Sequence, residues 1–193
     1  MDIIISKDPF DRQESDLLIT GLFKDERPLR GSAGWLDWRL NGRLSRLLME
    51  NRLKGEWGEK TLIPSEGRIS PKGILLFGLG EARGYSYLSI RDIIPFITET
   101  LKRLKILHSC LSFPFGEAYS VDCGKLAEVL LEGITDRLDQ NPADRRWLES
   151  LTLTFGEGEE QFSEILFGVQ TAKSILKERV HLRILTPSES PPE

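Results

Sequence analysis

Short apolar runs alternate along the chain with longer stretches in which leucine and isoleucine recur every three or four residues. That alternation is expected of strands and amphipathic helices in an α/β domain. Ile3 to Ile5 reads as a first short strand, and Asp16 to Phe23 as a second, buried one after a polar turn containing Pro9. Pro28, Gly31 and Gly34 mark a loop. Leu36, Leu40, Leu44, Leu47 and Leu48 fall on one face of a single helix. Gly42 lies inside it, where it costs about 1 kcal/mol relative to alanine and would permit close packing. Lys60 to Pro64 reads as a strand, and Gly73 to Gly78 is apolar between its glycines, as a strand covered on both faces should be.

The next helix is expected to start near Asp92 as N-cap, with Pro95 in the first turn and Ile93, Ile94, Ile97, Leu101 and Leu104 as its buried stripe. Ile106 to Phe113 supplies another strand. Asp122 caps a helix with Leu126, Val129, Leu130, Gly133 and Ile134 on its inner face. Leu151 to Phe155 is a strand, Phe162, Ile165, Leu166, Val169 and Leu176 line a last helix, and Val180 to Leu185 forms a closing strand. Four helices and six or seven strands give an α/β fold, a three-layer α/β/α sandwich around a mixed sheet. The expected organisation is one domain over residues 1–185, then a disordered Pro-rich acidic tail over 186–193 with the look of a natural C-terminus.

Composition narrows the function classes. The formal charge of -4, with basic and acidic residues interspersed, argues against nucleic acid as a partner. Two cysteines, Cys110 and Cys123, are too few for a disulfide framework and read as reduced thiols. The first residues lack the basic region and apolar length of a signal peptide, and no run reaches the ~18 apolar residues of a membrane span. The expected location is the cytoplasm.

No complete catalytic site emerges. Metal-binding spacings such as His-x-x-x-His or Cys-x-x-Cys are missing, so no metal and no cofactor is expected, and His108 and His181 read as structural. Gly84-Tyr85-Ser86-Tyr87-Leu88 lacks the second glycine of a serine elbow. The Gly78 to Gly84 segment follows a strand as a phosphate loop would, with Gly78, Gly80 and Gly84 as candidate ligand contacts, although its third glycine comes one residue late. Gly156 to Glu160 also joins strand to helix, but three glutamates would repel a phosphate. Phe113, Phe115 and Gly116 leave the carboxyl end of a strand and form a second candidate contact region, where aromatic rings could stack on a base. Trp35, Trp38 and Arg39 are a candidate interface anchor, tryptophan and arginine being enriched at binding hot spots. The competing reading has one tryptophan extending the core stripe.

The order of several segments resembles a known family. Asp16 to Phe23, Leu40 to Leu48 (Leu-Asn-Gly-Arg-Leu-Ser-Arg-Leu-Leu), Lys54 to Glu59 (Lys-Gly-Glu-Trp-Gly-Glu), Ile74 to Gly80 and Leu126 to Gly133 together resemble the N-terminal domain of the cytosolic leucyl aminopeptidases, the M17 peptidases, over roughly residues 1–178. The resemblance implies a macro-domain-like fold. It places chemistry in a separate C-terminal domain, where an Asn-Thr-Asp-Ala-Glu-Gly-Arg motif helps hold two metal ions. This sequence has no such motif, so the resemblance carries over no catalytic residue. It implies instead a non-catalytic assembly or regulatory role, with self-association or a peptidase-like protein as the partner. A nucleotide or ADP-ribose-like ligand is the alternative, and residual hydrolase activity a weaker one.

Overall fold

The computed structural model describes residues 1–139 and 142–186. In chain order the elements are β1 (Asp2–Ile5), β2 (Leu17–Leu22), α1 (Gly31–Arg39), α2 (Arg43–Met49), β3 (Lys60–Pro64), β4 (Gly73–Gly78), α3 (Tyr87–Leu104), β5 (His108–Ser112), α4 (Cys123–Leu138), α5 (Pro142–Glu149), β6 (Thr152–Phe155), α6 (Glu159–Leu176) and β7 (Arg183–Leu185). Short 3₁₀ turns at Phe10–Arg12, Ala82–Gly84 and Glu117–Tyr119 punctuate the loops. The tail expected to be disordered lies, from residue 187 onward, outside the described residues.

The strands form one mixed sheet in the order β3-β4-β2-β5-β6-β1-β7. Every pairing is parallel except β3 with β4. Parallel strands need helical crossovers, which bring helices over the sheet faces, and β2 and β4 are accordingly buried along their whole length. Because side chains alternate between faces, each strand feeds two cores. Ile3, Ile5, Leu17, Ile19, Leu75, Phe77, Leu111 and Leu153 pack with α3, α4 and α6. Leu18, Leu22, Ile74, Leu76 and Cys110 pack with Ala33, Leu36, Leu40 and Leu44 of the α1–α2 region. This is the expected α/β/α sandwich.

Four expectations need correction. Gly31 and Gly34 belong to α1 and not to a loop. The single leucine-striped helix is two helices. The N–H of Gly42 bonds the Asp37 carbonyl and that of Asn41 the Trp38 carbonyl, the pairing of a Schellman stop. Asn41 and Gly42 both have positive φ. Gly42 has nothing within 4 Å of a would-be Cβ, so it serves the break and not close packing. The third helix starts at Tyr87, ahead of Asp92. Ser86 is its N-cap, exchanging side-chain-to-backbone bonds with Ser89 in a capping box, and Pro95 lies inside the helix. Finally, α5 was not foreseen: between Leu138 and Leu151 only Trp147 and Leu148 are large apolar residues, too few for a readable stripe.

Candidate functional site

Parallel strands end on the same side of a sheet, and ligands of open α/β folds bind in the crevice beyond those carboxyl ends. Here the chain places three of its own rings in that region. Phe23 leaves the end of β2, Tyr85 comes from the loop after β4, and Tyr119 from the loop after β5. Phe23 meets Tyr85 edge-on at 5.1 Å between centroids and Tyr119 at 5.3 Å, while the two tyrosines are 6.1 Å apart. The Tyr85 hydroxyl donates to the Pro114 carbonyl at 2.9 Å, and Tyr119 donates to Glu26 at 2.7 Å. Burial raises both phenols above their ordinary range, with Glu26 adding to the shift at Tyr119. Both therefore stay neutral hydroxyl donors. The segment after β2 is tied down as well. Lys24 reaches Glu56 and Glu81, Asp25 accepts the Ala82 N–H at 2.9 Å, and Arg27 donates to the Phe23 carbonyl at 2.8 Å.

A phosphate loop works by presenting unspent backbone N–H groups. In the segment after β4 six of them are committed to the protein: Gly78 to the Glu59 carbonyl, Leu79 to Leu22, Gly80 to Gly55, Ala82 to Asp25, Gly84 to Glu81 and Tyr85 to Ala82. Gly78 is glycine because the backbone of residues 55–56 crosses it. A Cβ there would stand 1.9 Å from the Glu56 carbonyl oxygen.

On the α1 side of the strand ends lies a polar cluster that the sequence did not announce. Ser32 in the first turn of α1 and Ser112 at the end of β5 are both buried, and their hydroxyls share a hydrogen bond of 2.5 Å. The carboxyl of Glu157, which follows β6, lies beside Ser112. Desolvation pushes that carboxyl up to about 8, with the Ser112 hydroxyl opposing the shift. At neutral pH Glu157 is mostly protonated. Nearby, the fully buried Cys110 thiol is also pushed up by burial, and buried Asp11 pairs with Arg39 of α1 at 2.9 Å. Two features hint at this cluster in retrospect: a serine at the carboxyl end of a buried strand, and a glutamate bracketed by two glycines.

The candidate ligand residues are not brought to one place. Gly80 and Gly84 line a cavity of about 450 Å³ with Lys24, Trp57 and Arg83. Phe115 and Gly116 line another, of about 460 Å³, with Tyr87, Asp122 and Glu164. Phe113 is core and Gly78 lines neither cavity. The tryptophans fare differently. Neither extends the core: Trp35 is 46% and Trp38 65% exposed. Their rings pair at 5.0 Å on the outer face of α1, and the Arg39 guanidinium lies 5.9 Å from the Trp38 ring. His108 bonds Thr154 through its ring, and the His181 carbonyl accepts from the Met1 amino group. Both cysteines are free and buried. Among the described residues, no group of three or more His, Cys, Asp or Glu side chains is placed to hold a metal ion, and no helix is long and apolar enough to cross a membrane.

Residues 19–139 match the model of the cytosol aminopeptidase family, N-terminal domain. A probable cytosol aminopeptidase of Gloeothece citriformis is 30% identical over 165 residues, covering 83% of this chain and 34% of that protein. One from Alkaliphilus metalliredigens is 25% identical over 118 residues, 61% of this chain and 23% of that protein. The chain thus spans about a quarter to about a third of the length of such relatives. Among solved structures, a macrodomain of Oceanobacillus iheyensis superposes with a TM-score of 0.65 at 14% identity, covering 89% of this chain and 92% of that one. A Trypanosoma brucei macrodomain, solved in complex with ADP, superposes with 0.64 at 14% identity, covering 86% and 68%. These likenesses establish the macrodomain-like fold.

Proposed function

The chain belongs to the cytosol aminopeptidase family through that family's N-terminal domain, and from this premise we propose that it is a non-catalytic interaction module acting in assembly with a second copy or with a peptidase-like partner. The observation that carries the reading is the Trp35–Trp38 pair. Two paired tryptophans left in water on one helix face, with an arginine near Trp38 held by a buried aspartate, cost solvation that a partner surface would recover. The aromatic cluster supports the same reading, because Phe23, Tyr85 and Tyr119 take up part of the strand-end region where open α/β folds bind ligands.

Sedimentation velocity tests it, on the wild type and on Trp35→Ala/Trp38→Ala, each alone and mixed with a full-length cytosol aminopeptidase. The expected result is an assembly formed by the wild type and lost in the variant at unchanged melting temperature. Monomers throughout, with no mixed species at tens of micromolar, would sink the reading. A thermal-shift arm with ADP-ribose addresses the alternative: a ligand at 100 times its Kd would stabilise by about 2.7 kcal/mol, and no shift is expected.

A further inference from the structure

On the opposite side of the fold from the strand β7, the sheet ends in an open edge. Among the described residues β3 pairs with β4 alone. The bonds from the Gly78 N–H to the Glu59 carbonyl and from the Ser65 N–H to the Lys72 carbonyl set the phase of this antiparallel ladder. Directly opposed residues alternate between bonded and non-bonded pairs, so Thr61 and Ile63 turn their peptide groups toward β4. Lys60 and Leu62 turn theirs outward, as does the Pro64 carbonyl, which Arg43 contacts at 3.4 Å. An edge of this kind is a template for another strand unless charge or covering blocks it.

A groove of about 770 Å³ runs between this edge and α2. Arg43 and Arg46, one turn apart on α2, line it together with Arg52 and Arg68, against the two carboxylates of Glu50 and Glu66. Arg43 pairs with Glu66 at 2.6 Å and Arg52 with Glu50 at 3.6 Å. Arg46 and Arg68 have no ion-pair partner among the described residues. The groove is therefore locally cationic on a chain of net charge -4. Its apolar lining includes Leu47 of α2 and Ile63 of β3, while the side chain of the half-exposed Leu62 lies on the other face of the strand.

We propose that the free edge of β3, with the arginine-lined groove beside it, is a docking site for an extended acidic peptide segment that adds to the sheet as a further strand. The open ladder calls for a polypeptide, since only a backbone can return the Lys60 and Leu62 hydrogen bonds. The two unpaired arginines call for carboxylates. Side chains of an added strand alternate in direction, so acidic residues at every second position would face α2 and Arg46, with apolar residues between them on the other side, over Leu62. The site shares no residue with the Trp35–Trp38 surface and stands or falls independently of the assembly reading.

Fluorescence anisotropy tests it, with the whole chain and a labelled eight-residue peptide of alternating valine and glutamate. Binding is expected in the micromolar to submillimolar range, weakening with salt. Arg46→Glu/Arg68→Glu should reduce it at least tenfold. So should N-methylation of alternate peptide amides, which removes strand pairing and keeps the charge. Leu62→Pro should have the same effect: the lost N–H points outward, so no bond to β4 is broken and the melting temperature should hold. Should that variant fail to fold, the N-methylated peptide carries the same test. No binding at millimolar peptide would overturn the proposal. Binding indifferent to N-methylation, or tighter binding of a single-stranded oligonucleotide of equal charge, would overturn it equally, by showing a charge-only surface.

Discussion

Glu157 lies between Gly156 and Gly158, and the turn around it points its carboxyl at Ser112 instead of at solvent. Its pKa rises from 4.5 to about 8. For an acid the sign follows directly: between those values the unfolded chain releases the proton and the folded chain keeps it, so stability falls as pH climbs from about 4.5 to about 8 and then levels off. Glu157→Gln keeps the shape and removes the titration. The expected outcome is a flatter melting-temperature profile over that range and a gain at pH 8 on the order of 1–2 kcal/mol, read by calorimetry. Parallel profiles for the two proteins would show that the carboxyl is solvated. A second contrast separates structural glycine from ligand-binding glycine. Gly78→Ala forces a Cβ into the Glu56 carbonyl and should cost upward of about 3 kcal/mol, whereas at Gly84 a Cβ meets nothing and alanine should change stability by under about 0.5 kcal/mol. Equal losses in chemical denaturation would contradict that distinction. The sequence shows glycines at both positions alike, because a backbone crossing from residues 55–56 leaves no mark on the local pattern.

Element boundaries follow capping chemistry more closely than apolar spacing. Asp92 has the right chemistry for an N-cap and Pro95 the right position after it, yet α3 begins at Tyr87 because Ser86 and Ser89 close a capping box further upstream. Ser86→Ala should therefore cost about 1 kcal/mol, while Asp92→Ala, within the helix, should be near neutral. Denaturant midpoints of the two variants measure this, and a larger loss at Asp92 would restore the later start. The same logic explains the break after α1. The leucine spacing continues across residues 36–48, but Asn41 and Gly42 take positive φ and Asp37 accepts the Ser45 N–H at 3.0 Å, starting α2 afresh. Periodicity reported which residues face the core, and it did so correctly on both sides of the break. It carried no information about continuity.

At the scale of the molecule, the seven-stranded sheet divides its surfaces by role. The crevice at the strand ends holds the chain's own aromatics, whereas α1 and the β3 edge present unsatisfied surface. If the aromatic cluster holds the strand-end loops together, Tyr119→Ala should destabilise the fold by about 2–4 kcal/mol of lost packing and hydrogen bonding, read as a lower melting temperature, without creating nucleotide binding. A variant that gained an ADP-ribose thermal shift would show instead a latent site behind a removable plug.

The sequence by itself determined the α/β class, the core strands, the apolar faces of the helices and the resemblance to an aminopeptidase N-terminal domain. These depend on local periodicity and on the order of segments, both of which a linear chain displays. Only the tertiary structure decided what the strand ends contain. Phe23, Tyr85 and Tyr119 meet from three separate loops, Ser32, Ser112 and Glu157 from the start of α1, the end of β5 and the turn after β6, and the edge of β3 is open because, among the described residues, no other strand reaches it. Such groupings arise from contacts distant in sequence, where each residue taken alone has an ordinary local reading.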